Sequence, residues 1–279
     1  MRGNSDRFFY SFGGLGEEFL EVEDKDLIKQ WRKVMRLTDG DVVRLFDGSG
    51  FEYRYQVGKK IEDQNLKIKN DKSIHLKLVD KIFFEEPKGK LVLGFGLLKS
   101  KERMEWLIEK VTEVGVDEVV VLVTRYSQIV RLRGVERLKK KIVEACEQCG
   151  RVRIPRLRVN FQFPITNFSS PGSAVADKKN SNDQTNIVGA DHDLPNYGDY
   201  LKICFDGRGK RIDLADLKAK IQEKQNNVLL MVGPEGGWSE EEYSWFIEND
   251  FLILSLGTNV LRAETAGVMG TGVIKLINN

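Results

Sequence analysis

The sequence predicts an α/β protein in two parts: a small β domain, then a larger domain built on a mainly parallel sheet. Three observations carry that expectation. Up to about residue 84 the chain shows short alternating segments punctuated by glycine turns. From Lys90 onward, apolar runs alternate with segments of helical periodicity. Near the C-terminal end lie two glycine-marked loops, each where a strand should pass into a helix.

In the first part, strands over residues 42–46 and 52–57 flank Asp47-Gly48-Ser49-Gly50, a turn whose glycines tolerate positive φ. Ile74, Leu76 and Leu78 alternate with polar neighbours, as a half-buried strand requires. The second part opens with an apolar run at 91–95, followed by Met104, Leu107, Ile108, Val111 and Val114 at helical spacing. A strand at 119–123, a helix from about Val135 to Gln148, and strands at 201–205, 228–232 and 251–256 complete the pattern. Residues 164–199 are rich in Ser, Asn, Asp and Gly, and are expected to be a flexible insertion. The expected domains are therefore 1–84 and 85–279.

A length of 279 residues accommodates one large domain or two ordinary ones, and 41% hydrophobic with 31% charged residues is a globular balance. Three cysteines, Cys146, Cys149 and Cys204, are too few for a disulfide framework and favour a reducing, cytoplasmic setting. No signal pattern opens the chain, and no window approaches the roughly 18 apolar residues of a membrane span. Net charge is only +2, but between Arg125 and Arg158 eleven basic residues face three acidic ones. Such a run suits a phosphate backbone and, equally, a solvated helix face.

In open parallel sheets, ligands bind where strand carboxyl ends feed loops into helices. The strand at 228–232 runs directly into Gly233-Pro234-Glu235-Gly236-Gly237, after which Ser239 and Glu242 form a capping-box pattern. Taken alone, a tight turn before a well-capped helix explains that loop. The second loop, opening with Leu256-Gly257, ends with Arg262 and Glu264 among small residues where a helix should begin. Together the two loops favour a ligand site. Other signals are weaker. Cys146 and Cys149 have half-site spacing but no completing pair, so a packed helix face is preferred and no metal is expected. Gly94 and Gly96 lack the rest of a dinucleotide fingerprint, and a P-loop lysine with its Ser/Thr is missing. Trp106, Trp238 and Trp245 read as core or interface aromatics, and His75 needs no catalytic role.

Several stretches resemble one family. They are Arg7-Phe8-Phe9, residues 34–37 with 45–48, residues 99–115, residues 144–151 followed by Pro155, residues 233–237, and Leu261-Arg262-Ala263-Glu264-Thr265-Ala266. In number and order they are similar to the ribosomal RNA small subunit methyltransferase E family, 16S rRNA uridine-N3 methyltransferases of the SPOUT superfamily. The resemblance implies a PUA-like β-barrel that helps hold RNA, then a SPOUT-type α/β domain with a C-terminal trefoil knot. It further implies S-adenosyl-L-methionine as cofactor, 16S rRNA or the small subunit as partner, and a homodimer. Carried onto this chain, the cofactor residues are Val232, Gly233, Pro234, Glu235, Gly236, Gly237, Leu256, Gly257 and Leu261, with a contribution near 205–207. Arg262 would stabilise the reacting base, and Glu264 would orient it or accept a proton. Arg7, Arg36, Arg125, Arg151 and Arg153 would contact RNA. Three departures stand out: Gln30 where histidine is common, Thr258-Asn259 where Pro-Arg is usual, and Ala263 where threonine is common. Two rival readings remain, a ribose-2′-O or tRNA methyltransferase of the same fold and a non-catalytic RNA-binding assembly factor.

Overall fold

The computed structural model describes residues 8–10, 15–58, 73–129, 132–163 and 197–278. The chain divides into two compact units, Met1–Glu86 with Cys146–Ile154, and Pro87–Ala145 with Pro155–Asn279.

The first unit comprises β1 (Phe8–Tyr10), β2 (Phe19–Val22), α1 (Lys25–Lys29) continued by a π-helical turn over Gln30–Met35, β3 (Val42–Phe46), β4 (Phe51–Val57) and β5 (Ile74–Phe83). Its sheet runs β1-β3-β4-β5-β2, antiparallel except for the parallel β1–β3 edge. Asp24 starts α1 by accepting the Asp26 and Leu27 amides at 2.9 Å each. That helix places Trp31 fully inside, 5.5 Å from the Phe9 ring. Tyr55 is equally buried; its hydroxyl accepts from the Gly16 amide at 2.9 Å and donates to the Glu17 carbonyl at 3.1 Å. One carboxylate is buried here as well. Burial opposes ionisation of Glu52, yet hydrogen bonds from Arg44 and Arg54 outweigh it and hold the carboxyl below the usual range.

The expected glycine turn forms, with φ of 88° at Gly48 and 97° at Gly50, and Asp47 accepts the Ser49 amide at 2.9 Å. Those missing side chains have a second use. Ile154 lies against Gly48, and the Arg153 guanidinium occupies the space a Cβ would take at Gly50. Arg153 also donates to the Ser49 and Phe84 carbonyls at 3.2 and 2.9 Å. Residues 146–154 thus pack with the first unit, a long-range association that local periodicity does not encode.

The second unit comprises β6 (Leu91–Gly96), α2 (Lys101–Val114), β7 (Glu118–Val123), α3 (Val135–Cys149, from Cys146 onward assigned to the first unit), β8 (Arg156–Gln162), β9 (Leu201–Arg211), α4 (Leu214–Glu223), β10 (Val228–Val232), α5 (Glu240–Glu248), β11 (Leu252–Ser255) and α6 (Ala263–Asn278). Six strands in the order β11-β9-β10-β6-β7-β8 pair in parallel throughout. Every residue of β6 and β10 is buried, as expected for a sheet covered on both faces. On one face α2 meets α6 closely, because Gly267 leaves room for Leu107, and α6 settles on the sheet where Gly270 leaves room for the Phe205 ring of β9. On the other, Leu229, Met231 and Cys204 join Trp238, Phe246 and Phe251.

Several segments differ from expectation. β8 escaped notice because Arg156 and Arg158 alternate with Leu157 and Val159, so the basic residues masked a strand pattern; Arg158 pairs with Glu118. β9 is longer than predicted. Its register with β11 jumps between Ile253 opposite Cys204 and Leu254 opposite Lys210, throwing out a bulge. α4 was not anticipated either; Asp213 caps it, accepting the Ala215 amide at 2.9 Å. Of the predicted insertion, 164–196 lies outside the described residues. Its far end is not loose: Tyr197 is buried and donates to Glu118 at 3.0 Å. Trp238 and Trp245 pack in this core, whereas Trp106 is 44% exposed.

Phe246 holds the apolar layer under α5 together, with ring centroids 5.2 Å from Phe163, 4.7 Å from Trp238 and 4.8 Å from Phe251. Phe246→Ala should cost about 3–5 kcal/mol of stability by denaturant unfolding. A loss under about 1 kcal/mol would mean this aromatic layer does not carry the second unit.

Candidate active site

From β6 the chain builds outward through β7 and β8, then crosses to lay β9 and β11 on the far side, with β10 returning between β9 and β6. Strand order therefore reverses about β10, the place where an open α/β sheet opens a crevice at its carboxyl edge. A cleft of about 610 Å³ lies there, and every loop residue named above for a cofactor lines it.

The first wall is the loop after β10. Gly96 at the end of β6 makes room for it, since a Cβ there would stand 2.3 Å from Pro234 Cδ. Glu235 accepts the Lys99 amide at 3.1 Å, and the Gly237 amide closes a turn onto the Pro234 carbonyl at 2.9 Å, with Gly237 at φ 71°. Behind the loop, Ser239 and Glu242 form the predicted capping box. Glu242 is fully buried; Oε2 accepts the Ser239 amide at 2.9 Å while Oε1 accepts the Arg125 amide at 2.7 Å. That second bond ties the loop after β7 to the head of α5.

Residues after β11 form the second wall. The Ser255 hydroxyl donates to the Gly257 carbonyl at 2.9 Å, and Thr258, Asn259 and Val260 stand exposed. α6 then begins at Ala263, with the Arg262 carbonyl accepting from Ala266 at 2.8 Å. Phe205, Asp206 and Gly207, on the β9 bulge, supply the third side. Asp206 Oδ1 accepts from the Arg208 amide at 2.9 Å and from its Nε at 2.8 Å, and Oδ2 accepts from Nη2 at 3.0 Å. Arg208 also reaches Glu240 and lies 3.9 Å over the Tyr243 ring. Burial opposes ionisation of Asp206, but the Arg208 bonds prevail and its carboxyl sits below the ordinary value.

Arg262 lines the cleft and is exposed; among the described residues its guanidinium makes no hydrogen bond or ion pair. Glu264 stands back from the lining at 7% exposure. Its Oε1 is 3.7 Å from Arg103 Nε, and its Oε2 is buried without a partner. Arg103, which the sequence reading missed, is the third residue of α2 and lines the cleft. A signal existed, since α2 leaves the carboxyl end of β6, the same edge that carries the two glycine loops.

The residues expected to contact RNA are dispersed. Arg7 lies outside the described residues. Arg36, Arg151 and Arg153 belong to the first unit and Arg125 to the second. Arg36 is exposed in the left-handed region, φ 53°, and Arg125 is exposed too, whereas Arg153 binds carbonyls as described. The basic run between Arg125 and Arg158 is extensively paired: Lys139 with Glu136 at 2.7 Å, Lys141 with Glu144 at 2.8 Å, Arg137 with Glu105 at 2.6 Å, and Arg158 with Glu118. Glu105 and Glu118 lie outside the run, so its local charge count overstated the patch. Cys146 is buried within α3, where burial pushes its thiol up to about 12. Among the described residues no cluster of His, Cys, Asp and Glu could hold a metal, and no helix is long and apolar enough to cross a membrane.

Two predictions test the cleft. Gly96→Ala should push the Pro234 loop outward and destabilise the fold by about 1–3 kcal/mol, read by urea unfolding; an unchanged midpoint would show that the close approach is not required. The folded pKa of Asp206 is depressed, so its contribution is present above the unfolded value, about 3.9, and is lost as pH falls through the folded value. The stability gap between the native chain and Asp206→Asn should therefore narrow on acidification below about pH 4; a gap that widens there contradicts the assignment.

Comparison with known proteins places this geometry. A model of the RNA methyltransferase domain matches residues 85–275, and one of the RNA methyltransferase PUA domain matches residues 32–69. A protein of Rickettsia conorii named ribosomal RNA small subunit methyltransferase E is 24% identical over 261 residues, covering 93% of this chain and 91% of its own. The crystal structure of a ribosomal RNA small subunit methyltransferase E from Neisseria gonorrhoeae, bound to S-adenosyl methionine, aligns with TM-score 0.70 and 19% identity over 97% of both chains. A methyltransferase of Legionella pneumophila, solved with bound SAM, aligns with TM-score 0.67 and 23% identity over 96% of both. With an N-terminal PUA-like sheet, a parallel α/β second unit and a domain match across most of its length, the chain belongs to the RNA methyltransferase family.

Proposed function

We propose that this protein is an S-adenosylmethionine-dependent methyltransferase acting on N3 of a uridine in the 16S RNA of the small ribosomal subunit. One observation carries the reading: in a chain of the RNA methyltransferase family, two glycine loops and the β9 bulge enclose one cleft at the point where strand order reverses. The names of the Rickettsia and Neisseria relatives support the substrate class.

The cleft suits the cofactor. Its volume of about 610 Å³ falls within the range of roughly 300–1,000 Å³ usual for small-molecule sites. Gly233, Gly236 and Gly237 offer backbone donors and acceptors without side-chain obstruction, while Phe205, Leu256 and Leu261 supply apolar surface for a purine ring. When bound, the sulfonium supplies an electrophilic methyl carbon. The residues of this chain then have to align the acceptor with it and stabilise charge. Uracil N3 carries a proton, and the anion left by its loss spreads onto the ring oxygens. Arg262, exposed at the cleft and with no guanidinium partner among the described residues, is placed to stabilise that anion, and Glu264 to orient the site. The target uridine must be unpaired or extruded, because N3 lies inside a base pair.

In this reading residues 1–84 help hold RNA, and residues 85–279 carry the chemistry as two subunits of a cytoplasmic homodimer. The glycine loops are then threaded as a trefoil knot. Arg36, Arg125 and Arg151 contact phosphates, whereas Arg153 contributes less, being committed to carbonyls.

Small subunits from a strain lacking the gene, incubated with the protein and radiolabelled S-adenosylmethionine, should take up label at a single uridine of 16S RNA. Arg262→Ala should lower kcat by roughly 10²–10³-fold with cofactor affinity unchanged. Label confined to transfer RNA, or carried on a ribose 2′-oxygen, would overturn the assignment.

A further inference from the structure

Glu264, behind the cleft lining, is an acidic group whose partial satisfaction the orienting role alone leaves unexplained. It is a carboxylate at 7% exposure with a single ion pair at 3.7 Å, and one oxygen wholly buried and unbonded. A buried charge so thinly satisfied is costly and marks a constraint other than stability. Its ion-pair partner is Arg103, approached at Nε. Among the described residues the two Nη groups of Arg103 make no hydrogen bond, the side chain is 41% exposed, and the residue lines the cleft. The cleft is therefore flanked by two arginines whose guanidinium groups make no hydrogen bond among the described residues, Arg262 leading into α6 and Arg103 on α2.

Uracil N3 stands between two carbonyl groups, and the charge left by deprotonation is shared by both oxygens. We infer that Arg103 is a second cation of the acceptor site, donating from its Nη groups to one of these oxygens while Glu264 fixes the guanidinium through Nε. This rests on the uridine-N3 reading above and assigns Glu264 as a positioning residue. The N3 proton leaves to water, the N3–methyl bond forms, and the carbon–sulfur bond breaks with its electron pair remaining on sulfur. No proton is placed on Glu264.

The test compares the full-length protein with Arg103→Ala, Arg103→Lys, Glu264→Gln and the double variant Arg103→Ala/Glu264→Gln. Methyl transfer to small subunits is measured across pH, with calorimetry for S-adenosylmethionine and circular dichroism for folding. Arg103→Ala should lose about a hundredfold in kcat with cofactor affinity within twofold of the native protein, and its rise in rate with pH should move to higher pH, because the ring anion has lost a stabilising cation. Arg103→Lys should recover to within about tenfold. Glu264→Gln should lose no more than Arg103→Ala, and the double variant no more than the worse single one, as for residues acting as a unit. The inference is overturned if Arg103→Ala keeps kcat within threefold, if its loss is matched by weaker cofactor binding, or if Glu264→Gln falls far below Arg103→Ala. A native protein that binds no S-adenosylmethionine and labels no RNA would instead bring down the parent reading, and this one with it.

Discussion

The placement of β10 between β6 and β9 governs the second unit. A parallel strand in that position has neighbours on both edges and helices on both faces, so it must be apolar throughout, and residues 228–232 are all buried. The same placement fixes where its carboxyl end emerges. The chain leaves the sheet at the reversal of strand order and must turn within a few residues to reach α5. That turn is the glycine loop, and the cleft follows from it.

Close approach makes the turn possible. Gly96 accommodates Pro234, Gly94 accommodates the Met231 sulfur, and Gly270 of α6 accepts Phe205, so glycines far apart in sequence act together around β6, β9 and β10. The Gly94–Gly96 pair, weak as a nucleotide signature, has a packing explanation. Buried polar groups then hold the loops that packing brings together. Glu242 serves the head of α5 and the loop after β7 at once, which explains a fully buried carboxylate.

Charge is distributed by the same rule. Most basic residues of α3 and β8 find acidic partners across or along the surface, and exposed pairs of this kind contribute little to stability. At the cleft the arrangement changes. Asp206 is saturated by Arg208, whereas among the described residues the Arg262 guanidinium has no partner and Glu264 is only partly satisfied. In the proposed reading, these incompletely satisfied groups are the ones left for a ligand.

By itself the sequence determined the alternation of strands and helices after Lys90, the glycine turn at 47–50, the capping box on α5, and the two loops of the cleft. Each depends on neighbours a few residues apart, on period, turn chemistry or capping, and these act locally. Only the tertiary structure decided the rest. It recruited residues 146–154 to the first unit, bent β9 outward at Asp206, and buried Tyr197 at the end of a polar segment. It also drew Glu105 and Glu118 into a basic run that seemed unopposed, and set Arg103 against Glu264, 161 residues further along the chain. These are contacts between distant segments. Their physical cause is the order in which strands pair and helices cover them, which no window of sequence contains.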